Sequence, residues 1–281
     1  MSIAYQGEPG AFSEAAARRV DPDAQLVPCR SFDEVFDAVQ AGTSAYGVLP
    51  IENSIGGSIH RNYDLLVERT LPIVGEVELP VIHHLLAIPG ATLDGLRRVY
   101  SHPQGLAQCE RFLRTLTNVE IIATYDTAGS AKMVADAGLK DAGAIASARA
   151  GEVFGLVSLA ASVQDFDDNI TRFLVVGTAP LPDRVADKTS IVFSLPNEPG
   201  SLFKALSVFA LRGISLTKLE SRPIQGRPWE YLFYVDIPIG RHDLRCARAL
   251  VHLAEFARSM RTLGSYPSWK SRESAVARQG A

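Results

Sequence analysis

The first 180 residues alternate short apolar segments with amphipathic ones, and this alternation limits the possible folds more than any other feature of the sequence. Ser2–Gln6 and Tyr46–Pro50 have the length and apolar content of buried strands. Phe32–Gln40 is predicted to be a helix, because Ser31 can cap it and Glu34 follows at the position of a capping box. Strands that alternate with helices form α/β sheets. We therefore expect an α/β domain over residues 1–180.

A second domain, with a different order of elements, is expected over residues 188–267. Its predicted order is strand, helix, strand, strand, helix, strand, which is the ferredoxin-like pattern. Thr178–Asp183 contains two prolines and separates two apolar runs, as a linker does. Two domains also fit a chain of 281 residues. The polar segment 268–281 is predicted to be a tail outside both domains.

Charge and composition argue against several classes of function. The net charge is −3 and the pI is about 6.1, so clustered positive charge for a nucleic-acid partner is not expected. The most apolar long stretch, 142–163, contains Arg149 and Glu152, so no membrane span is expected. Three scattered cysteines indicate neither a disulfide framework nor a zinc site. The N-terminal sequence has no basic start followed by an apolar run, so we expect a cytoplasmic protein.

Four loops between predicted strands and helices share a polar, small-residue composition. Helix N-termini offer free amides and partial positive charge, so they can hold carboxylates without lysine or arginine. Ligands of open α/β sheets lie beyond the carboxyl ends of the strands, where such loops converge. They would suit a small polyanion, although each loop taken alone also fits a simple cap or turn. The loops are Glu8–Ser13, Glu52–Ser58, Ser101–Gln104 and Asp126–Ser130.

The best-known catalytic motifs are missing from the sequence. It contains no Gly-x-Gly-x-x-Gly after a strand, no phosphate-loop motif and no His-Glu-x-x-His. His83 and His84 are adjacent in an apolar strand, so their side chains face opposite sides and cannot share one metal site. Core or surface positions suit these two histidines better. No metal and no nucleotide is indicated.

Several motifs follow one another in order along nearly the whole chain. Those of the first domain are Gly7-Glu8-Pro9-Gly10-Ala11-Phe12-Ser13, Glu52-Asn53-Ser54, Ser101-His102-Pro103-Gln104, Gln108-Cys109 and Asn169-Ile170-Thr171-Arg172-Phe173; those of the second are Pro199-Gly200-Ser201-Leu202 and Glu220-Ser221-Arg222-Pro223. Each motif is weak alone, but the ordered set is specific. The first domain resembles the catalytic domain of prephenate dehydratases, and the second resembles an ACT regulatory domain.

The resemblance implies the loss of carbon dioxide and water from prephenate to give phenylpyruvate, for phenylalanine synthesis. No cofactor is needed, because aromatisation of the ring drives the reaction. By resemblance, Thr171 is the donor to the departing hydroxyl and Asn53 and Gln108 position the substrate; on pattern alone Thr171 would be an ordinary strand residue. Arogenate, the amino analogue, is an alternative substrate, and a non-catalytic sensor of carboxylates or amino acids is an alternative function. The expected substrate-binding residues are Ser13, Ser54, Ser101, Thr127, Arg172 and Phe173, with Arg172 equally able to face away from the cleft.

The fold implied is a two-lobed, periplasmic-binding-protein-like domain, followed by a βαββαβ ACT domain. The expected lobes are residues 1–77 with 174–180, and residues 78–173. Phenylalanine is the expected feedback inhibitor, bound between subunits of a homo-oligomer, dimer or tetramer. Ala11, Ser201 and Phe203 depart from the family pattern, and the last two bear on effector selectivity. The expected phenylalanine-binding residues are Asn197, Pro199, Gly200, Leu202, Glu220, Ser221 and Arg222.

Overall fold

The computed structural model describes residues 1–182 and 184–271, which form two compact units. The first unit comprises Met1–Leu65 and Val77–Phe173, and the second comprises Leu66–Glu76 and the chain from Leu174 onward. Within the described residues, no helix has the length and apolar character that crossing a membrane requires. The predicted tail is described only as far as residue 271, and residues 272–281 lie outside the described part.

Eleven strands and seven α-helices precede the ACT-like region in the described chain. They are β1 (Ser2–Gln6), α1 (Phe12–Val20), β2 (Gln25–Cys29), α2 (Phe32–Gln40), β3 (Tyr46–Asn53), β4 (Gly57–Ser58), α3 (His60–Glu68), β5 (Ile73–Pro80), β6 (His84–Ala87), β7 (Arg98–Ser101), α4 (Pro103–Ala107), α5 (Glu110–Leu113), β8 (Glu120–Ala123), α6 (Thr127–Asp136), β9 (Ala142–Ala146), α7 (Ala148–Phe154), β10 (Val157–Ala160) and β11 (Ile170–Gly177).

These strands form two sheets, and each sheet belongs to one lobe of a periplasmic-binding-protein-like fold. The first sheet has the order β2-β1-β3-β11-β5, with β4 paired to β3, and β1 runs parallel to β2 and β3. The second sheet has the order β10-β6-β9-β7-β8. Here β7 is parallel to β8 and β9, whereas β6 is antiparallel to β9 and β10. The expected two-lobed α/β architecture is confirmed.

Local sequence explains how these elements begin and pack. The Ser31 side chain accepts a hydrogen bond from the Glu34 amide at 3.2 Å, and the Arg30 amide donates to the Glu34 carboxylate at 2.8 Å, so the predicted capping box forms at α2. In the second lobe, buried alanines such as Ala128 and Ala144 form much of the core. Their small side chains allow helices to approach the sheet closely.

Residues 103–113 form two short helices, α4 and α5, rather than one continuous helix. Cys109, between α4 and α5, has φ −121° and ψ 23°, outside the helical region. Gln108, which ends α4, is only 8% exposed, and its side chain is committed to buried hydrogen bonds. Strand β2 contains Pro28 and was not predicted; neither were strands β5 and β10. These strands lack the simple apolar alternation on which the prediction depends.

The second unit contains the expected βαββαβ order. Its elements are β12 (Lys188–Ser194), α8 (Ser201–Ala210), β13 (Lys218–Pro223), β14 (Tyr231–Ile237), α9 (Leu244–Phe256) and β15 (Ser259–Tyr266). The sheet has the order β13-β14-β12-β15 and is antiparallel throughout. Its core includes Phe193, Phe209, Val235 and Leu253, all buried.

A buried ion pair ties the segment Leu66–Glu76 into the second unit. Lys188 Nζ lies 2.9 and 3.1 Å from the two carboxylate oxygens of Glu76, which is 2% exposed. The Trp269 amide donates to the same carboxylate at 3.0 Å. Removing Lys188 would take the cation away from a buried carboxylate, which is strongly destabilising, whereas Lys188 itself also lies 3.9 Å from an Asp236 carboxylate oxygen. Sequence order alone does not predict this association of a segment from the first half of the chain with the second unit.

Candidate active site

A cavity of about 360 Å³ lies within the first unit, lined by residues of both lobes. All four of the polar loops singled out in the sequence contribute to it. Its lining is Gln6, Gly7, Ala11, Phe12, Ser13, Phe32, Pro50, Asn53, Ile59, Val81, His83, His102, Gln104, Gly105, Gln108, Tyr125, Asp126, Thr127, Thr171 and Phe173.

Asn53 and Thr171 meet in the first lobe, where β3 ends and β11 begins. Asn53 is 4% exposed and Thr171 is 8% exposed. Asn53 Nδ2 lies 2.9 Å from Thr171 Oγ1 and 2.7 Å from Asn169 Oδ1. Asn53 Oδ1 accepts from the backbone amides of Ile55, at 3.0 Å, and Gly56, at 2.7 Å. These four hydrogen-bonding groups, from two distant chain segments, therefore hold one buried side-chain amide.

Gln108 joins the second lobe to this cluster. Its Nε2 donates to Asn53 Oδ1 at 3.1 Å, and its Oε1 lies 2.9 Å from His83 Nε2. His83 is 1% exposed, and burial lowers its pKa below the ordinary value for histidine. The three residues predicted to be catalytic, Asn53, Gln108 and Thr171, thus lie in one continuous hydrogen-bonded group.

The helices α1 and α6 both begin at the cavity. Ala11, Phe12 and Ser13 lie at the start of α1, and Asp126 and Thr127 lie at the start of α6. The first amides of a helix have no partner within it and carry partial positive charge. This arrangement can bind carboxylate groups without an arginine or lysine.

Asp126 places a carboxylate among these helix starts. Its Oδ1 accepts from the Gly129 amide at 2.5 Å, which caps α6. Its Oδ2 is buried and has no hydrogen-bond partner among the described residues. Burial raises the pKa of this carboxyl above its ordinary value, because the charged form loses hydration.

Two glycines allow the close approaches that shape the cavity. Gly10 has φ +91°, and a Cβ there would lie 2.6 Å from Ala150 Cα. A Cβ on Gly56 would overlap the side-chain nitrogen of Gln104. A side chain at position 10 would require the backbone at Ala150 to move, whereas one at position 56 would displace the flexible end of Gln104, which lines the cavity.

The predicted substrate-binding residues divide into two groups. Ser13, Thr127 and Phe173 line the cavity. Ser54, Ser101 and Arg172 lie outside that lining. Ser54 Oγ bonds to Asp168 O at 2.7 Å and to the Ile170 amide at 2.9 Å, and Ser101 Oγ donates to Ile145 O at 2.7 Å. These two serines hold loops and strands together. Arg172 follows Thr171 on a strand, and alternation directs it away from the face that carries Thr171.

Several residues that lie at the site were assigned no role from the sequence. Asn169 and Gln104 belong to two of the quoted motifs. The motifs therefore indicated that these residues lie near the site, but not which groups they contact. His83 was interpreted as an ordinary histidine of the core or surface, because an apolar strand is all that its neighbours indicate. Within residues 1–182 and 184–271, no three His, Cys, Asp or Glu side chains are grouped so as to hold a metal ion.

The predicted phenylalanine-binding residues lie on the loop before α8, in the first turn of α8 (Leu202) and on the edge strand β13 of the second unit. Gly200, at the N-cap of α8, has φ +81°. Leu202 is 37% exposed and Phe203 is 76% exposed, so the bulky residue at position 203 faces solvent. Glu220 and Arg222 are half-buried and Ser221 is exposed.

Comparison with known proteins agrees with this architecture. The sequence profile of prephenate dehydratase matches residues 3–180, and that of the ACT domain matches residues 189–245. "Arogenate dehydratase/prephenate dehydratase 2, chloroplastic" of Arabidopsis thaliana is 51% identical over 281 residues, covering 95% of this chain and 73% of that protein.

Two solved structures have closely similar folds. The prephenate dehydratase of Arthrobacter aurescens in complex with L-Phe is 31% identical, with a TM-score of 0.87, covering 100% of this chain and 97% of that one. GqqA, described as a novel type of quorum quenching acylase, is 37% identical, with a TM-score of 0.86, covering 95% of this chain and 98% of that one.

The expected cytoplasmic location is wrong in the light of these relatives. The Arabidopsis protein above and a second one 49% identical to this chain are chloroplastic, which points to a plastid rather than the cytoplasm. The expectation rested on the missing apolar core of a secretory signal, a feature that tests only for secretion. Import sequences of plastids are amphipathic and need no such core, so that argument could not address them.

Proposed function

Because the chain belongs to the prephenate dehydratase family, we propose that it converts prephenate to phenylpyruvate in the biosynthesis of phenylalanine. The coarser activity follows from the family itself: the chain is a dehydratase of aromatic amino acid biosynthesis. In the proposed reaction, the ring carboxylate leaves as carbon dioxide and its bonding electrons enter the ring. The carbon–oxygen bond opposite then breaks, and the hydroxyl leaves as water once it has gained a proton.

One observation carries this proposal: the hydrogen bond between Asn53 and Thr171 has only one possible direction. The amides of Ile55 and Gly56 can only donate, so the Asn53 atom that faces them is its oxygen. The nitrogen of Asn53 therefore faces Thr171 Oγ1 and donates to it. The hydroxyl of Thr171 keeps its own proton for another acceptor, and the departing hydroxyl of the substrate needs such a donor.

The same bond makes Thr171 a better donor. A free threonine hydroxyl is a poor acid, but an accepted hydrogen bond draws electron density from its oxygen and strengthens its own O–H donation. Thr171 is only 8% exposed, which limits competition from solvent for that proton. We therefore assign Thr171 as an oriented and polarised donor, with Asn53 and Gln108 positioning it and the substrate.

The substrate's carboxylates find a complementary group at the start of α1, which has no side-chain cap, so its first amides can attract negative charge. Ser13 at this helix start, and Thr127 beside Asp126 at the start of α6, supply hydroxyl donors. Phe173, buried in the lining, offers an apolar surface for the ring. This assignment explains how a chain of net charge −3 binds a dianion.

A second candidate substrate, arogenate, is favoured by Asp126. Arogenate carries an α-ammonium group where prephenate has a ketone. The carboxylate of Asp126 lines the cavity and keeps one oxygen without a partner in the described structure. It would repel a carboxylate and attract an ammonium group. The product of that reaction would be phenylalanine itself.

Regulation by phenylalanine is proposed for the ACT domain. An ACT domain matches residues 189–245, and the Arthrobacter relative was solved with L-Phe. We assign the effector to the loop before α8 and to strand β13, through Asn197, Pro199, Gly200, Leu202, Glu220, Ser221 and Arg222. A homo-oligomer, dimer or tetramer, is proposed with this assignment.

The test is turnover by the purified full-length protein. Prephenate and arogenate are supplied separately, without added metal or nucleotide, and phenylpyruvate, phenylalanine and carbon dioxide are measured. Formation of the aromatic product with equal amounts of carbon dioxide supports the proposal, and the ratio of kcat/KM between substrates identifies the better one. A folded protein that turns over neither substrate would refute it.

A further inference from the structure

We propose that His83 is a positioning residue for this reaction: as a neutral imidazole protonated on Nε2, it sets the direction of a hydrogen-bond chain that ends at the Thr171 hydroxyl. The proposal rests on the proposed function, because it assigns His83 a role in the same chemistry. His83 lines the cavity, and the role assigned to it here is exerted on Thr171 through Gln108 and Asn53.

The direction of the chain is fixed first at Asn53. Two backbone amides donate to its Oδ1. If Oδ1 and Nδ2 were exchanged, these two donors would face the NH2 group of Asn53, which is itself a donor. Gln108 approaches the same oxygen at 3.1 Å. The atom of Gln108 at that contact must therefore be its NH2 group, because a carbonyl oxygen there would face another oxygen.

The orientation of the Gln108 amide determines the tautomer of His83. With its nitrogen turned to Asn53, Gln108 presents Oε1 to His83 Nε2 at 2.9 Å. A bare nitrogen lone pair at that distance would repel the carbonyl oxygen, so Nε2 must carry a hydrogen and donate it. The bonds then run in one direction, from His83 through Gln108 and Asn53 to Thr171 Oγ1.

The second ring nitrogen shows that His83 is neutral rather than cationic. Nδ1 is buried and has no hydrogen-bond partner among the described residues. A proton on Nδ1 would be a buried donor without an acceptor, which costs free energy that a neutral ring avoids. Burial also lowers the pKa of His83, which likewise favours the neutral ring. Neutral His83 therefore supplies one hydrogen-bond donor, on the side that faces Gln108.

The position of the ring is itself well defined. The backbone amide of His83 donates to Gln164 Oε1 at 3.0 Å, and its carbonyl accepts from the Val163 amide at 2.9 Å. The ring of Phe12 meets the imidazole edge to face, with centroids 5.4 Å apart and an interplanar angle of 88°. These contacts hold Nε2 in place before substrate binds, which is the condition for preorganised catalysis.

Without the His83 donor, the chain loses its direction. Gln108 Oε1 would be a buried acceptor without a partner, and the amide could rotate to seek another donor. Rotation would withdraw the NH2 group from Asn53 and weaken the polarisation that reaches Thr171. The expected consequence is a slower chemical step, with substrate binding little changed.

Three variants of the full-length protein test the role of His83. His83→Leu removes the donor with a similar side-chain volume, and His83→Gln places an amide donor at comparable reach. His84→Leu is the matched control, because His84 is the next residue and bonds only to exposed Ser158 in the described contacts, at 3.1 Å. We expect kcat of His83→Leu to fall at least about tenfold, the loss typical of one buried hydrogen bond. KM should stay within about threefold, since the effect is on the transition state.

The kcat values of His83→Gln and His84→Leu distinguish a loss of the donor from a general structural effect. His83→Gln should recover most of the lost kcat, and His84→Leu should match the wild type. Full kcat in folded His83→Leu, a loss confined to KM, or equal losses in His83→Leu and His83→Gln would each overturn the proposal. Absence of turnover in the wild type would instead refute the proposed function, so the two failures are distinguishable.

A spectroscopic measurement on the wild type is independent of variant folding and of activity. The ¹⁵N NMR signals of His83, assigned by comparison with His83→Gln, should show a protonated Nε2 and an unprotonated Nδ1 at neutral pH. A ring protonated on Nδ1 alone, or on both nitrogens, would contradict the direction derived for the chain.

Discussion

Asn53 Nδ2 lies 2.9 Å from Thr171 Oγ1 across 118 residues of sequence, and the amide is the donor in this bond. The neighbouring backbone amides determine that direction, because they occupy the oxygen of Asn53. The hydroxyl proton of Thr171 is therefore available to a substrate. The proposed chemistry depends on this relationship more than on any other in the cavity.

Substitution of Asp126 should change the preference between substrates. Asp126→Asn removes the buried negative charge but keeps the shape and the cap of α6. We expect kcat/KM for arogenate to fall about tenfold or more relative to that for prephenate, because a charge-assisted contact is lost. Steady-state kinetics with both substrates measures the ratio. Asp136→Asn, at the exposed far end of the same helix, is the control. An unchanged ratio would remove Asp126 from substrate selection.

Phenylalanine inhibition should be sensitive to Gly200. Its φ of +81° disfavours any side chain, although space is open around it. Gly200→Ala therefore strains the loop before α8 by about 1 kcal/mol. We expect the phenylalanine concentration for half-inhibition to rise several-fold, with kcat unchanged. Gly213→Ala is the matched control, since Gly213 has φ +64° and equally open surroundings in the same unit. A similar rise in both variants would indicate a general effect rather than a local one.

The three cysteines should resist alkylation in the folded protein. Cys29, Cys109 and Cys246 are buried and free. Burial raises the pKa of all three thiols, that of Cys109 to about 12. A raised pKa keeps a thiol protonated at pH 8, and the protonated form is unreactive. Mass spectrometry after iodoacetamide treatment should show no adduct in buffer and three in denaturant. Rapid labelling of the native protein would contradict this.

The periodic parts of the fold could be predicted from the sequence. The run Ser2–Gln6 and the box between Ser31 and Glu34 identify elements from neighbouring residues, and both form as expected. The break between α4 and α5 could not be predicted, because there the Gln108 carbonyl accepts from the amide of the distant Asp165, at 2.7 Å, rather than from the next helical turn. Local propensity contains no information about such a distant partner.

At the candidate site, too, some residues could be predicted from the sequence and others could not. The resemblance of the motifs identified Asn53, Gln108 and Thr171 as site residues, and in the structure they are joined by hydrogen bonds. It gave no signal for His83, since a histidine in an apolar strand is usual in a protein core. Only the cavity geometry shows that one ring nitrogen meets Gln108 while the other has no partner in the described chain.

The most direct test of the central claim compares Thr171→Val with Thr171→Ser. Valine keeps the shape of threonine without its hydroxyl, whereas serine keeps the hydroxyl. If Thr171 donates to the departing group, kcat of Thr171→Val should fall by about 10²–10⁴ for the preferred substrate. The substrate Kd, from calorimetry, should stay within a few-fold, and Thr171→Ser should keep much of the wild-type rate. A Thr171→Val enzyme that turns over at the wild-type rate would contradict the account.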